Sequence, residues 1–161
     1  QDRDFVWESK YVYMLIVLTF AFLWIRAYLE YTAKFIVMSC AATYYWTSDA
    51  EEEGEAEVLY SVKIAHINHT GSIAMGAFII GFVRFVDFVF MYFARRVENA
   101  VPTNIGIKIC IVCAGCIVNV FEQFVDHITV DAYAYMANTG ENFCSSAYNG
   151  FLINIKHSLS F

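Results

Sequence analysis

The stretch YVYMLIVLTFAFLWIRAYLEYTAKFIVMSCAATYYW, Tyr11 to Trp46, runs for 36 residues with few polar interruptions. As one helix at 1.5 Å per residue it would extend about 54 Å, against a hydrocarbon core of about 30 Å. It contains neither Pro nor Gly to mark a turn. The expectation is therefore one long helix, tilted or projecting beyond the bilayer, rather than a hairpin. Its charges, Arg26, Glu30 and Lys34, recur every four residues and so share one helical face. On that face Glu30 can pair with both cations and lower the cost of placing them in lipid. Two uses stand open: a ladder that packs against neighbouring helices or interfacial water, and part of a permeation path.

The rest of the chain agrees with a membrane solvent. Of its 161 residues 59% are hydrophobic, 18% aromatic and only 16% charged, and the mean hydropathy is +0.50. An ordinary water-soluble domain is excluded by that balance. Ten Lys+Arg against sixteen Asp+Glu give a net charge of −6, which offers no basic surface for nucleic acid. The five cysteines lie in or beside apolar stretches, a placement expected of reduced thiols rather than of a disulfide framework. The first residue is Gln1 and the last, Phe161, falls inside a mixed apolar stretch, so the chain reads like an excerpt or a processed product. No signal-peptide pattern precedes the first apolar run, and that helix is expected to stay in the protein.

The fold class expected is all-α, an integral membrane helical bundle fragment with two long transmembrane helices and interfacial amphipathic helices. The boundaries read as an N-terminal flank at 1–10, a long transmembrane helix at 11–46, an acidic loop at 47–60, a second transmembrane helix at 61–96 and membrane-associated helices at 97–161. The loop is carried by SDAEEEGEAE, Ser48 to Glu57, which must lie in water. Ile64 to Val83 then gives 20 residues without Lys, Arg, Asp or Glu, enough for one crossing. Arg95, Arg96 and Lys108 follow this span while the acidic loop precedes it. The positive-inside bias puts the Arg-Arg end in the cytoplasm, or in the matrix of a mitochondrion. Gly71, Ser72, Gly76, Ala77 and Gly81 form a small-residue face that lets another helix approach closely; glycines placed for hinge motion are the competing reading. Arg84 and Asp87, three apart, can pair within the helix. After Pro102 the apolar stretch from Ile105 to Val125 carries Lys108, Glu122 and three cysteines, and Asp126 to Phe161 alternates polar and apolar residues. This suggests interfacial helices, too polar from Glu122 onward to cross; a short buried or re-entrant segment at Ile105 to Phe121 is the alternative.

Motifs for chemistry are sparse. Cys110, Cys113 and Cys116 have the spacing C-x2-C-x2-C, but no fourth cysteine lies near and the flanks are apolar. Packing is the leading reading, ahead of S-acylation and then a metal. His66 and His69 lack companion ligands, and Asn68-His69-Thr70, a glycosylation triplet, lies too near the bilayer to count. No nucleophile elbow, phosphate loop or zinc-protease pattern occurs. An enzyme is not expected, nor a metal or other cofactor. Tyr44, Tyr45 and Trp46 end the first span, where such rings anchor to headgroups or, alternatively, wall a quaternary ammonium.

The chain resembles the choline transporter-like family of multi-span membrane proteins. The resemblance is carried by Ala42-Thr43-Tyr44-Tyr45-Trp46, by His69-Thr70-Gly71-Ser72-Ile73-Ala74 with Gly76-Ala77-Phe78-Ile79-Ile80, and by Asp131-Ala132-Tyr133 with Asn142-Phe143-Cys144-Ser145-Ser146-Ala147. Phe121-Glu122 and the spaced cysteines fall between the second and third of these in the family's order. It covers most of these residues but part of a typical family chain. The resemblance implies an all-helical carrier for choline or a related organic cation, working by alternating access in the plasma membrane or the mitochondrial inner membrane. The residues it suggests for substrate are Trp24, Tyr44, Tyr45 and Trp46 as rings and Glu30 as counter-charge. Implied partners are membrane lipids, the cation itself, and other transmembrane helices of the same chain or of neighbouring subunits. Two positions depart from the family pattern: Lys34, where relatives tend to be polar and uncharged, and Asp87, where they are more often basic. The rival is a non-transporting structural subunit of this fold, held in a larger membrane complex such as a mitochondrial one.

Overall fold

The computed structural model describes residues 8–49, 54–100 and 105–158. Parts of the N-terminal flank (1–7) and of the acidic loop (50–53), and Pro102 within 101–104, lie outside the described residues. Five helices follow in order: α1 (Ser9–Thr47), α2 (Val58–Ile67), α3 (Thr70–Ala100), α4 (Ile105–Thr139) and α5 (Phe143–Ser158). No strand occurs among the described residues. The all-helical class holds, and the number of spans is corrected. Three helices, α1, α3 and α4, are long and apolar enough to cross a membrane, where two were expected.

The additional one is α4. Glu122 and Asp126 made this region look too polar to cross, but the helix is continuous for 35 residues and both carboxylates find partners on other helices, as described below. At 1.5 Å per residue α4 is about 52 Å long, well beyond the thickness of a hydrocarbon core. It ends where Gly140 takes φ +72° and its N–H bonds to the Met136 carbonyl at 2.9 Å. That left-handed conformation costs a residue without Cβ little and closes the last turn.

The second apolar stretch is interrupted. Helix α2 stops at Ile67 and α3 starts at Thr70, with no Gly or Pro at the break to announce it. The backbone N–H groups of Asn68 and His69 both bond to the Ile64 carbonyl, at 3.0 and 3.1 Å, and the His69 carbonyl accepts from Ile73 at 2.8 Å. The Thr70 hydroxyl donates back to the His66 carbonyl at 2.6 Å. These bonds satisfy groups that two helix ends would otherwise leave orphaned.

Helix α1 packs along α3 and touches α2 and α4; α4 packs on α3, and α5 on α4. The core follows helical spacing: Ala27, Tyr31 and Phe35 from α1, Ile73, Ala77 and Ile80 from α3, Ala132, Tyr133 and Met136 from α4, closed by Ala65 and Phe143. By contrast Leu18, Phe22, Ile117 and Val120 are exposed. Such apolar surface suits lipid tails or further helices, not water.

Candidate functional site

The packed end of the bundle is built around rings. Tyr31 on α1 lies 5.5 Å from the Tyr133 ring of α4, which lies 5.6 Å from Phe143 of α5. Phe35, one turn along from Tyr31, contacts Tyr133 at 6.4 Å and the His69 imidazole at 5.4 Å. Burial against these groups holds His69, in the joint between α2 and α3, below the usual histidine pKa. The Tyr133 hydroxyl donates to the Ile73 carbonyl at 2.9 Å, so the polar tip of a buried ring is satisfied.

Beside this ring cluster lies an ion network spanning three helices. Lys34 Nζ is 2.9 Å from Glu30 Oε1 one turn away on α1. Arg84 of α3 donates through Nη1 to Glu30 Oε2 at 3.0 Å, and its Nε lies 3.4 Å from Glu122 Oε1 of α4. The Tyr31 hydroxyl donates to Asp126 Oδ1, one turn beyond Glu122. The Lys34 ammonium also sits over the Tyr31 ring, 4.5 Å from its centroid. Glu30 and Glu122 thus meet two cations, while Asp126 is held by the Tyr31 hydroxyl. Inside a bilayer each charge is costly alone, and pairing across helices is the arrangement that makes it tolerable.

This network differs from the pairing that spacing suggested. Arg84 reaches to α1 and α4 instead of pairing with Asp87 on its own helix. Glu30 takes Lys34 and Arg84, while Arg26 is exposed and contributes no ion pair to it. Sequence reading missed Arg84, Glu122, Asp126 and Tyr31 as members of one site. The available signal was that ionisable residues on separate spans need one another.

Trp24 lies along the face where α1 meets α3, its indole N–H donating to the Ala74 carbonyl at 3.2 Å and its ring edge-on to Phe78 at 5.5 Å. Tyr44, Tyr45 and Trp46 are exposed at the far end of α1, about 21 Å along the axis from Glu30. A ligand the size of choline cannot touch both groups at once. Trp46 bonds to Asn138 Oδ1 at 3.4 Å and packs edge-on to Tyr45.

The small residues of α3 also divide. A Cβ on Gly76 would lie 2.3 Å from the Tyr133 hydroxyl and 2.6 Å from the Phe143 ring, and one on Gly81 3.0 Å from Trp24 Cα. Ala77 is buried, Ser72 half-buried, and Gly71 faces open space. Cys110, Cys113, Cys116 and Cys144 are exposed. Among the described residues no group of three His, Cys, Asp or Glu could hold a metal.

Three long apolar helices clasped by ion pairs at their crossing define an integral membrane protein of the polytopic α-helical class. The family described as plasma-membrane choline transporter matches residues 1–161, and the chain belongs to it. It is 28% identical over 155 residues to choline transporter-like protein 2 of Rattus norvegicus, covering 93% of this chain and 22% of the relative. It is 30% identical over 140 residues to choline transporter-like protein 1 of Mus musculus, covering 85% of this chain and 21% of the relative. Choline transporter-like protein 2 of Homo sapiens is 28% identical over 139 residues, 86% of this chain and 19% of the relative. The chain thus spans about a fifth of the length of the curated relatives it matches.

Proposed function

We propose that this chain forms part of a carrier that moves choline or a related organic cation across a membrane by alternating access, with no chemistry performed on the substrate. The observation that carries the reading is the network of Glu30, Lys34, Arg84, Glu122 and Asp126 beside the Tyr31 ring. Intramembrane ionisable residues mark substrate and ion pathways, and an excess of carboxylate with an aromatic face is what a cation unable to donate hydrogen bonds requires. The break between α2 and α3 supports the transport cycle, since interrupted helices accompany binding sites in carriers. Family membership and the names of the relatives support choline and the plasma membrane. The geometry favours Glu30 as counter-charge and leaves Tyr44, Tyr45 and Trp46 the role of headgroup anchors or an entry wall.

The test is uptake of labelled choline into vesicles containing the full native protein, compared with Glu30→Gln and Trp46→Ala. Uptake above empty vesicles is expected, reduced about tenfold or more by Glu30→Gln and less by Trp46→Ala. Vesicles no better than empty ones would remove the carrier reading. A second reading, a structural subunit without transport in a larger complex such as a mitochondrial one, is favoured by one observation: both oxygens of Glu30 are already held, by Lys34 and Arg84. Isolation of the native product alone, rather than among many other subunits, speaks against it.

A further inference from the structure

Lys34 occupies a place that a free organic cation would fit. Its ammonium is 2.9 Å from Glu30 Oε1 and 4.5 Å from the centroid of the Tyr31 ring. A carboxylate at contact distance and an aromatic face below are the two elements that bind a quaternary ammonium. The ring is held rigidly. Tyr31 is fully buried, its hydroxyl is tied to Asp126 and its ring is packed, tilted, against Tyr133. The occupant is held less firmly, since the Lys34 and Glu30 side chains are 36% and 35% exposed, so the place opens to the outside of the bundle.

We propose that Glu30 and Tyr31 form a seat for a quaternary ammonium group and that the Lys34 ammonium is its tethered occupant. The proposal deepens the carrier reading and rests on it for the class of ligand. Charge and size both agree. With Lys34 in place Glu30 and Glu122 face two cations; without it, the two carboxylates face Arg84 alone, and a monovalent cation restores the balance. The Lys side chain beyond Cβ has as many heavy atoms as a trimethylammonium head, so Lys34→Ala vacates a matching volume. A tether one helical turn long keeps the ammonium near the seat at an effective concentration of about millimolar or above. A free ligand must compete with that concentration and binds correspondingly more weakly to the native protein. The stem of Lys34 is flexible, so it can swing aside without disturbing α1.

The experiment measures tetramethylammonium binding to the full native protein in detergent, alongside Lys34→Ala, Lys34→Ser and Lys34→Arg. Both small replacements are expected to bind at least tenfold more tightly than native, and Lys34→Arg, which keeps a tethered cation, no more tightly. On the Lys34→Ala background, Tyr31→Phe retains the gain while Tyr31→Leu and Glu30→Gln abolish it, each checked for folding by thermal unfolding. The neutral isostere 3,3-dimethyl-1-butanol gains nothing. Equal affinity of native, Lys34→Ala and Lys34→Ser overturns the seat, as does a gain that survives both Tyr31→Leu and Glu30→Gln. Choline uptake separates this from the carrier reading. Tighter binding on Lys34→Ala with no uptake by any form sinks transport and keeps the seat; uptake by native protein with unchanged binding does the reverse.

Discussion

Gly71 and Gly76 are a little over one helical turn apart on α3 and have opposite surroundings. A methyl group at 76 would enter the space of the Tyr133 hydroxyl, which is fixed to the Ile73 carbonyl, and of the Phe143 ring. Overpacking of that kind costs about 1–3 kcal/mol. Gly76→Ala is expected to lower the thermal midpoint of the detergent-purified protein accordingly, while Gly71→Ala, facing open space, shifts stability by less than about 0.5 kcal/mol. Equal effects of the two would mean that α3 does not pack on α4 through Gly76. His69 gives a pH signature. Its pKa is lowered in the fold by burial from the ordinary 6.5, so below that value the unfolded chain binds the proton more readily than the native one. Stability therefore falls as pH drops from about 6.5 toward the depressed native value. Thermal midpoints taken between pH 7.5 and pH 5 should decline, and His69→Gln should flatten the part of that decline due to this ring.

Between elements, Arg84 is the only cation among the described residues within ion-pair distance of both Glu30 and Glu122. Removing one member of a buried ion pair costs about 3–5 kcal/mol because the other is stranded. With side chains 22% to 35% exposed, the loss expected for Arg84→Leu is about 2 kcal/mol. Adding Glu30→Gln and Glu122→Gln to Arg84→Leu removes the stranded carboxylates and should recover most of it, measured by thermal unfolding. An Arg84→Leu protein as stable as native would show that the network does not clasp the helices. The same residues explain what the sequence could and could not reveal. Continuity of apolar residues from Tyr11 to Trp46 made α1 legible, since a helix in lipid must satisfy its own backbone. Local spacing gave Glu30 its partner Lys34 but assigned Arg84 to Asp87, because neighbours on one helix are visible in sequence and partners across a bundle are not. Glu122 and Asp126 hid α4 for the same reason: their polarity is cancelled by Arg84 and Tyr31 on other helices. The break at Asn68 and His69 is closed by a Thr hydroxyl and shared carbonyls, without the Gly or Pro that usually punctuates a chain.

For the whole molecule, three crossings fix which connections share a side of the membrane. Helix α1 ends at Thr47, where the acidic connection begins, and α3 returns to end with Arg95 and Arg96 near its terminus. If α4 crosses, its end at Thr139 lies on the side of Ser48, opposite Asn99; if it lay along the interface, Thr139 would stay on the side of Asn99. The positive-inside bias assigns the Arg-Arg side to the cytoplasm. Single cysteines placed at Ser48, Asn99 and Thr139, each exposed, in a background with the five native cysteines replaced, distinguish these arrangements. An impermeant thiol reagent applied to intact cells should label Ser48→Cys and Thr139→Cys, and should reach Asn99→Cys only after permeabilisation. Thr139→Cys behaving as Asn99→Cys does, both shielded or both labelled in intact cells, would return α4 to the surface and separate Glu122 from Arg84. Labelling of Asn99→Cys alone in intact cells would keep α4 as a crossing and reverse the orientation. The exposed apolar halves of α1 and α4 around Leu18, Phe22, Ile117 and Val120 then gain a physical reason: in a crossing bundle they meet lipid tails or the helices of a longer protein. In water they would make the chain aggregate.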